Sequence, residues 1–135
     1  MTQENGSGGQ DDPELRVYRL RFTDRALAEI EVAHDRLAEY NGQDAADVWE
    51  KGLFSEVAKL ATLPLRHPAP LEAIRFRGTV RQVLYRRSGH AVYRVIFVVR
   101  EESLDGPTVV VFTVRHGSAR PISRAEARAM EQEAE

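Results

Sequence analysis

The chain has 135 residues, 42% hydrophobic and 30% charged, and contains no cysteine. That length allows one domain with one real core, and the missing cysteines exclude a disulfide framework, a thiolate nucleophile and a zinc–thiolate site. The missing cysteines are compatible with a reducing cytoplasm, and no apolar run approaches a membrane span or a signal core, so no membrane partner is expected.

The net charge of −2 conceals a partition. Residues 1–61 carry 7 basic and 13 acidic side chains, and residues 62–124 carry 11 arginines against 4 acids. Residues 125–135 return to one arginine against 4 glutamates. Of the 19 basic residues, 17 are arginine, whose planar fork suits phosphate and carboxylate.

In chain order, residues 1–13 are polar and read as a disordered tail. Arg16 to Phe22 alternates, with Tyr18, Leu20 and Phe22 on one face, and predicts a half-buried strand. Thr23 or Asp24 then caps a helix running to Tyr40. Its inward positions are Leu27, Ile30, Ala33, Leu37 and Tyr40, with Glu29, Glu31, Asp35 and Glu39 on the solvent side. Asn41-Gly42 ends it. A second helix reaches Ala61 with Val48, Trp49, Leu53, Val57 and Leu60 inward, and the short turn makes the two antiparallel. The paired carboxylates along them read as a solvated face rather than as acid/base machinery. Three prolines make residues 62–70 a loop, with His67 at the surface.

Ile74 to Arg77 predicts a short strand, with a bulge or turn at Gly78. Val80 to Arg87 predicts the next strand, and residues 88–90 a tight hairpin turn. Ala91 to Arg100 is an apolar strand interrupted by Arg94, and Asp105-Gly106 marks a second hairpin connection. Thr108 to Val114 suits a central strand buried on both faces. Ser123 and Glu126 form a capping box that opens a C-terminal helix over residues 123–135. Its apolar content is alanine plus Met130, so it is expected to be loosely held or to await a partner.

The predicted class is α+β. An N-terminal strand and an antiparallel helix pair precede a curved, mostly antiparallel sheet of three to four strands, and a C-terminal helix follows. The domain spans residues 14–122, and the first strand pairs parallel to a late one. With one sheet face on the core, the other presents arginine. Arg75, Arg77, Arg81, Arg86, Arg87 and Arg115 form the expected surface for a target or anion. The histidines (His34, His67, His90, His116) lack metal-ligand spacing, so no metal or cofactor is expected.

Three local stretches in this order resemble the RelE/ParE superfamily of type II toxin–antitoxin toxins, over about residues 16–121. They are Phe22-Thr23-Asp24-Arg25-Ala26, Arg87-Ser88-Gly89 followed by Tyr93-Arg94-Val95, and Val114-Arg115-His116-Gly117-Ser118-Ala119-Arg120. The resemblance implies a cytoplasmic toxin, of the kind tied to plasmid stabilisation, held inactive in a hetero-oligomer with a cognate antitoxin. RelE-like members cut messenger RNA on the ribosome, and ParE-like members bind and poison DNA gyrase.

For RNA cleavage, Arg81, Arg94 and Arg120 would neutralise phosphate and His116 would move a proton near pH 7. Arg94 equally suits an ion pair with an acid of the first helix, and His116 a backbone hydrogen bond that orders the strand end. Arg77, Arg86 and Arg87 equally suit protection of a sheet edge. The RelE-like branch places lysines where Gln82 and Leu84 stand and a tyrosine near the C-terminus, yet no tyrosine follows Tyr93 here. The long helix pair also matches the ParE-like branch. The leading expectation is therefore a gyrase-binding toxin. A ribosome-dependent endoribonuclease is the alternative, and an inactive binding module the third.

Overall fold

The computed structural model describes residues 16–87 and 89–135, so the expected tail at residues 1–13 and Ser88 of the first hairpin turn lie outside the described residues. Strand β1 is Arg19–Phe22, shorter than the alternation in the sequence, although Tyr18 ahead of it is buried as predicted. Thr23 ends the strand and starts the helix. Its hydroxyl accepts from the Ala26 N–H (3.1 Å), which caps α1, Asp24–Asn41, and donates to the Phe112 carbonyl (3.1 Å). Gly42, at φ 95°, makes the one-residue turn into α2, Gln43–Ala58; a side chain there would be strained.

The inner faces of the two helices follow expectation at Ile30, Trp49, Leu53, Val57 and Leu60, which are buried, and depart from it at three positions. Ala26 and Ile30 are buried on α1, while Leu27 and Tyr40 are 45% and 82% exposed. On α2 the buried set is Ala46, Trp49, Leu53 and Val57, and Val48 turns to solvent. Trp49, inward as expected, packs against the sheet, where Tyr85 and Tyr93 meet it edge-on at 6.1 and 5.1 Å.

A short helical turn, Lys59–Ala61, follows α2. Another, Leu71–Arg75, replaces the strand expected at Ile74 to Arg77. The apolar and polar residues there alternate in sequence, but Glu72 is pulled inside and Ile74 stays out, so the alternation does not correspond to two faces of a sheet. The strands that form are β2 (Val80–Tyr85), β3 (Tyr93–Arg100) and β4 (Thr108–His116). They order as β1-β4-β3-β2, with β1 parallel to β4 and the other two ladders antiparallel. The parallel return of β1 and the burial of β4 on both faces agree with the sequence.

The bulge lies in β4, not at Gly78. Ile96 pairs with Thr113 and Phe97 with Val111, which leaves Phe112 as the extra residue. It resets the alternation, so that Val109, Val111 and Val114 all join the core under the helices while Val110 and Phe112 face the other way.

That other face is covered too. Helix α3, Arg124–Glu133, is docked rather than loose. Ile122, Ala127, Met130 and Ala134 are fully buried against Phe76, Val80, Ile96, Val110 and Phe112. Its apolar contribution is small, as the composition implied. Charge and polar contacts add to it: Arg25 pairs with Glu133 (2.7 Å), the Arg77 and Gly78 N–H groups donate to Glu131 (2.9 Å each), and Arg21 and Arg100 donate to the Ala134 carbonyl (2.5 and 3.0 Å). The capping box of Ser123 and Glu126 is present.

Tyr85 supplies a test of the core. Its hydroxyl donates to the Trp49 carbonyl (2.9 Å), and a Cβ at Gly52 would overlap that hydroxyl. Gly52→Ala gains about 1 kcal/mol of helix propensity but overpacks and displaces a buried hydrogen bond, at roughly 2–4 kcal/mol. The expected outcome in urea denaturation is net destabilisation, with part of the loss recovered when Tyr85→Phe is added.

Candidate functional site

The sequence assigns four residues to RNA cleavage, and the strands place them apart. Tyr93 and Arg94 are neighbours on β3 and so face opposite sides. His116 is paired with Tyr93, its ring 5.3 Å from the tyrosine ring, on the helix side of the sheet. Arg94 is paired with Arg115 and Leu84 on the outer side. Arg81 is paired with Phe97, four residues along β3 from Tyr93, and donates to the His67 carbonyl (2.8 Å). Arg120 pairs with Glu126 (3.0 Å). These four therefore do not converge on one reacting atom.

His116 is also held in one role. Its Nδ1 accepts from the Ser118 N–H (3.0 Å) and lies 2.7 Å from the Ser118 hydroxyl. An amide N–H can only donate, so Nδ1 is the acceptor and the proton of the neutral ring sits on Nε2. The ring orders the end of β4, the second of the two roles the sequence allowed. It lines a groove of about 270 Å³ between α1 and β4 with Glu29, Val32, Arg36 and Tyr93.

Glu29 was expected on the solvent face, but it is half-buried. Its carboxylate accepts from the Thr113 hydroxyl (2.7 Å) and the Val114 N–H (2.9 Å), groups on the stretch of β4 that β1 is too short to cover. Burial pushes its pKa up, against these hydrogen bonds. His67, expected at the surface, is half-buried: it packs edge-on against Phe97 (5.9 Å), and burial lowers its pKa, with Arg66 adding to the effect.

The outer face centres on Glu72 and Arg94. Glu72 is 3% exposed. The Arg94 guanidinium donates to both of its oxygens (2.6 and 3.1 Å), the Ile122 N–H adds a third bond (3.1 Å), and the Arg94 Nε donates to Gln82 (2.7 Å). Burial alone would raise the Glu72 pKa, but the bonds from Arg94 and Ile122 outweigh it and hold it at about 2. Arg94 is thus an ion-pair partner, though of the turn before β2 rather than of α1. Sequence reasoning missed Glu72, and a signal was there: it is the sole acid in residues 62–100.

A cleft of about 410 Å³ opens beside this pair, lined by Leu71, Glu72, Arg75, Gln82 and Arg94. Its rim is apolar. Leu71 and Ile74 are 98% and 81% exposed and lie three apart in a tight helical turn, where such positions eclipse, so they point the same way. Leu84, opposite Arg94, is 55% exposed. The expected arginine surface is divided. Arg75 donates to the Ile122 carbonyl (2.7 Å) and Arg115 to the Arg120 carbonyl (2.7 Å) on the outer side. Arg81 faces the helix side, and Arg86 and Arg87 are exposed just past the end of β2. Arg77 is exposed beside α3.

The sequence model described as "ParE toxin of type II toxin-antitoxin system, parDE" matches residues 20–121, from β1 to the segment before α3. The chain belongs to the ParE toxin family. Among solved structures it is similar to a chain of a chromosomal ParDE toxin–antitoxin system from P. aeruginosa, at 18% identity and TM-score 0.59. That likeness covers 74% of this chain and 96% of the other, and supports the fold. No curated protein matches the sequence. Among the described residues no helix is long and apolar enough to cross a membrane, and no cluster of side chains is arranged to hold a metal ion.

Glu72 makes a pH prediction for this ParE-family chain. Its folded pKa of about 2 lies below its ordinary 4.5. The stability it contributes is therefore complete above about pH 4.5 and is lost as pH falls towards 2, to the extent of about 3 kcal/mol. Glu72→Gln should flatten this acid limb and cost roughly 3–5 kcal/mol at pH 7 by leaving Arg94 buried without its counter-charge. Urea midpoints between pH 7 and 3 for both proteins check it.

Proposed function

We propose that this chain is the toxin of a type II toxin–antitoxin module, that it acts in the cytoplasm by binding DNA gyrase, and that a cognate antitoxin neutralises it in a hetero-oligomer. The observation that carries the protein-binding reading is the outer cleft. Exposed Leu71 lines it, exposed Ile74 projects from the same turn, and exposed Leu84 is paired on the ladder with Arg94, whose ion pair with Glu72 is already satisfied from within. Aliphatic side chains held out at a rim of polar groups are what a protein interface uses, and they are of no use to a reacting phosphate. Arg94 spends its guanidinium on Glu72 and Gln82, and His116 spends Nδ1 on Ser118, so the groups an endoribonuclease needs are committed elsewhere.

Induction of the chain alone in a bacterial host tests the reading. Growth arrest with DNA-damage signalling and intact transcripts is the expected outcome; rapid cleavage of translated messages would overturn it in favour of the nuclease, and normal growth in favour of an inactive binding module. Leu71→Glu with Ile74→Glu should abolish arrest while leaving the melting temperature unchanged, because neither side chain is buried. His116→Gln should preserve arrest.

A further inference from the structure

We infer that His34 is a proton-operated clasp, which holds the tip of the α1–α2 hairpin closed and releases it when the ring loses its proton. The imidazole reaches from α1 to α2. Its Nε2 lies 2.8 Å from an Asp47 oxygen and its Nδ1 3.1 Å from an Asp35 oxygen, and the Gln43 amide donates to the same Asp47 oxygen (2.9 Å). A neutral imidazole has one N–H and one bare lone pair, whereas an ionised carboxylate only accepts. The neutral ring would therefore turn a lone pair towards one of the two carboxylates, and only the imidazolium donates to both. The geometry is satisfied with the proton on and half-satisfied with it off.

The tip needs such a clasp. α1 has no cation in its last turn, and α2 starts at Gly42 without a side-chain cap. Residues 35–50 carry Asp35, Glu39, Asp44, Asp47 and Glu50 against Arg36 alone, so acids of the two helices face each other across a one-residue turn. The groups acting on His34 are Asp47 and Glu50 from α2 and Asp35 from its own helix, all acids. Asp47 and then Asp35 raise its pKa above its ordinary 6.5, and His34 in return lowers that of Asp47. The stability contributed by the clasp is thus complete below about pH 6.5 and is lost as pH rises through the higher folded value. Both carboxylates stand in solvent, so the effect is local: the tip opens and the fold stays. Tyr40, 82% exposed in the last turn of α1, moves with the tip.

The inference is independent of the target reading, since purified full-length chain tests it. Proton NMR follows the His34 ring in the folded chain and in the chain unfolded by urea. Hydrogen exchange follows the Gly42 and Ala46 amides, which bond to the Ala38 and Gly42 carbonyls at the turn. His34 should titrate at higher pH folded than unfolded. Protection of the two amides, corrected for the intrinsic pH dependence of exchange, should fall roughly three- to tenfold from about pH 5.5 to about pH 8.5. Asp47→Asn should move the His34 titration down, and His34→Gln should leave the protection of the tip independent of pH. A His34 titration at or below its unfolded value, tip protection that does not change with pH, or a pH dependence that persists in His34→Gln would each overturn the proposal. Unchanged protection in β3 and β4 confirms that both variants remain folded.

Discussion

The buried ion pair of Glu72 with Arg94 is the contact on which the outer half of the molecule depends. It joins three parts of the chain far apart in sequence: the turn before β2, the middle strand β3, and the backbone of Ile122 at the entry to α3. A carboxylate 3% exposed is tolerable only with its hydrogen bonds in place. Satisfying it therefore fixes the Leu71–Arg75 turn against the sheet, and fixing that turn sends Leu71 and Ile74 outward. The exposed aliphatic rim follows from burying the acid between them, and the same contact removes Arg94 from the list of cations open to a phosphate.

A second constraint acts at β4. β1 covers β4 only as far as Val111, and the bulge at Phe112 then turns the strand. The backbone groups exposed beyond that point need partners. Thr23 takes the Phe112 carbonyl and Glu29 takes the Val114 N–H, both from the start of α1. The sequence motif that ends β1 thus caps the helix and also closes a sheet edge. An acid that looked like helix surface is there to finish the ladder.

Elements with a strong local period were legible in the sequence. β1, both long helices, the capping box of α3 and the doubly buried β4 follow from alternation, helical spacing and cap residues. What was not legible depended on tertiary pairing. The alternation at Ile74 to Arg77 carried no information about Glu72 finding Arg94, so a turn was taken for a strand. The choice between Val48 and Ala46 as an inward residue needed the helix to be seen against the sheet, where Ala46 is buried and Val48 is exposed. Arginines that appeared as one basic surface were divided by the pleat, with Arg81 on one side and Arg94 and Arg115 on the other. His116 and Arg94, assigned to one reaction from the chemistry that the family resemblance implied, lie on opposite faces of the sheet. The lone acid in a basic stretch was the one available signal, and its meaning was a burial cost that only a cation could offset.

The partition of charge along the chain has a structural reason. An alanine-based helix gains little from the hydrophobic effect, at roughly 25 cal/mol per Å² of apolar surface removed from water. Docking α3 over a sheet therefore needs a supplement, and the acidic stretch at residues 125–135 provides it by meeting the arginines of β1, β4 and α1. Arg115 of β4 and Arg25 of α1 are thus counter-charges of this chain's own C-terminal helix, and Arg21 and Arg100 of the sheet hold its last carbonyl. That accounts for a near-neutral total in a protein whose halves are strongly charged, and it makes the outer layer, unlike the Trp49 core, sensitive to salt.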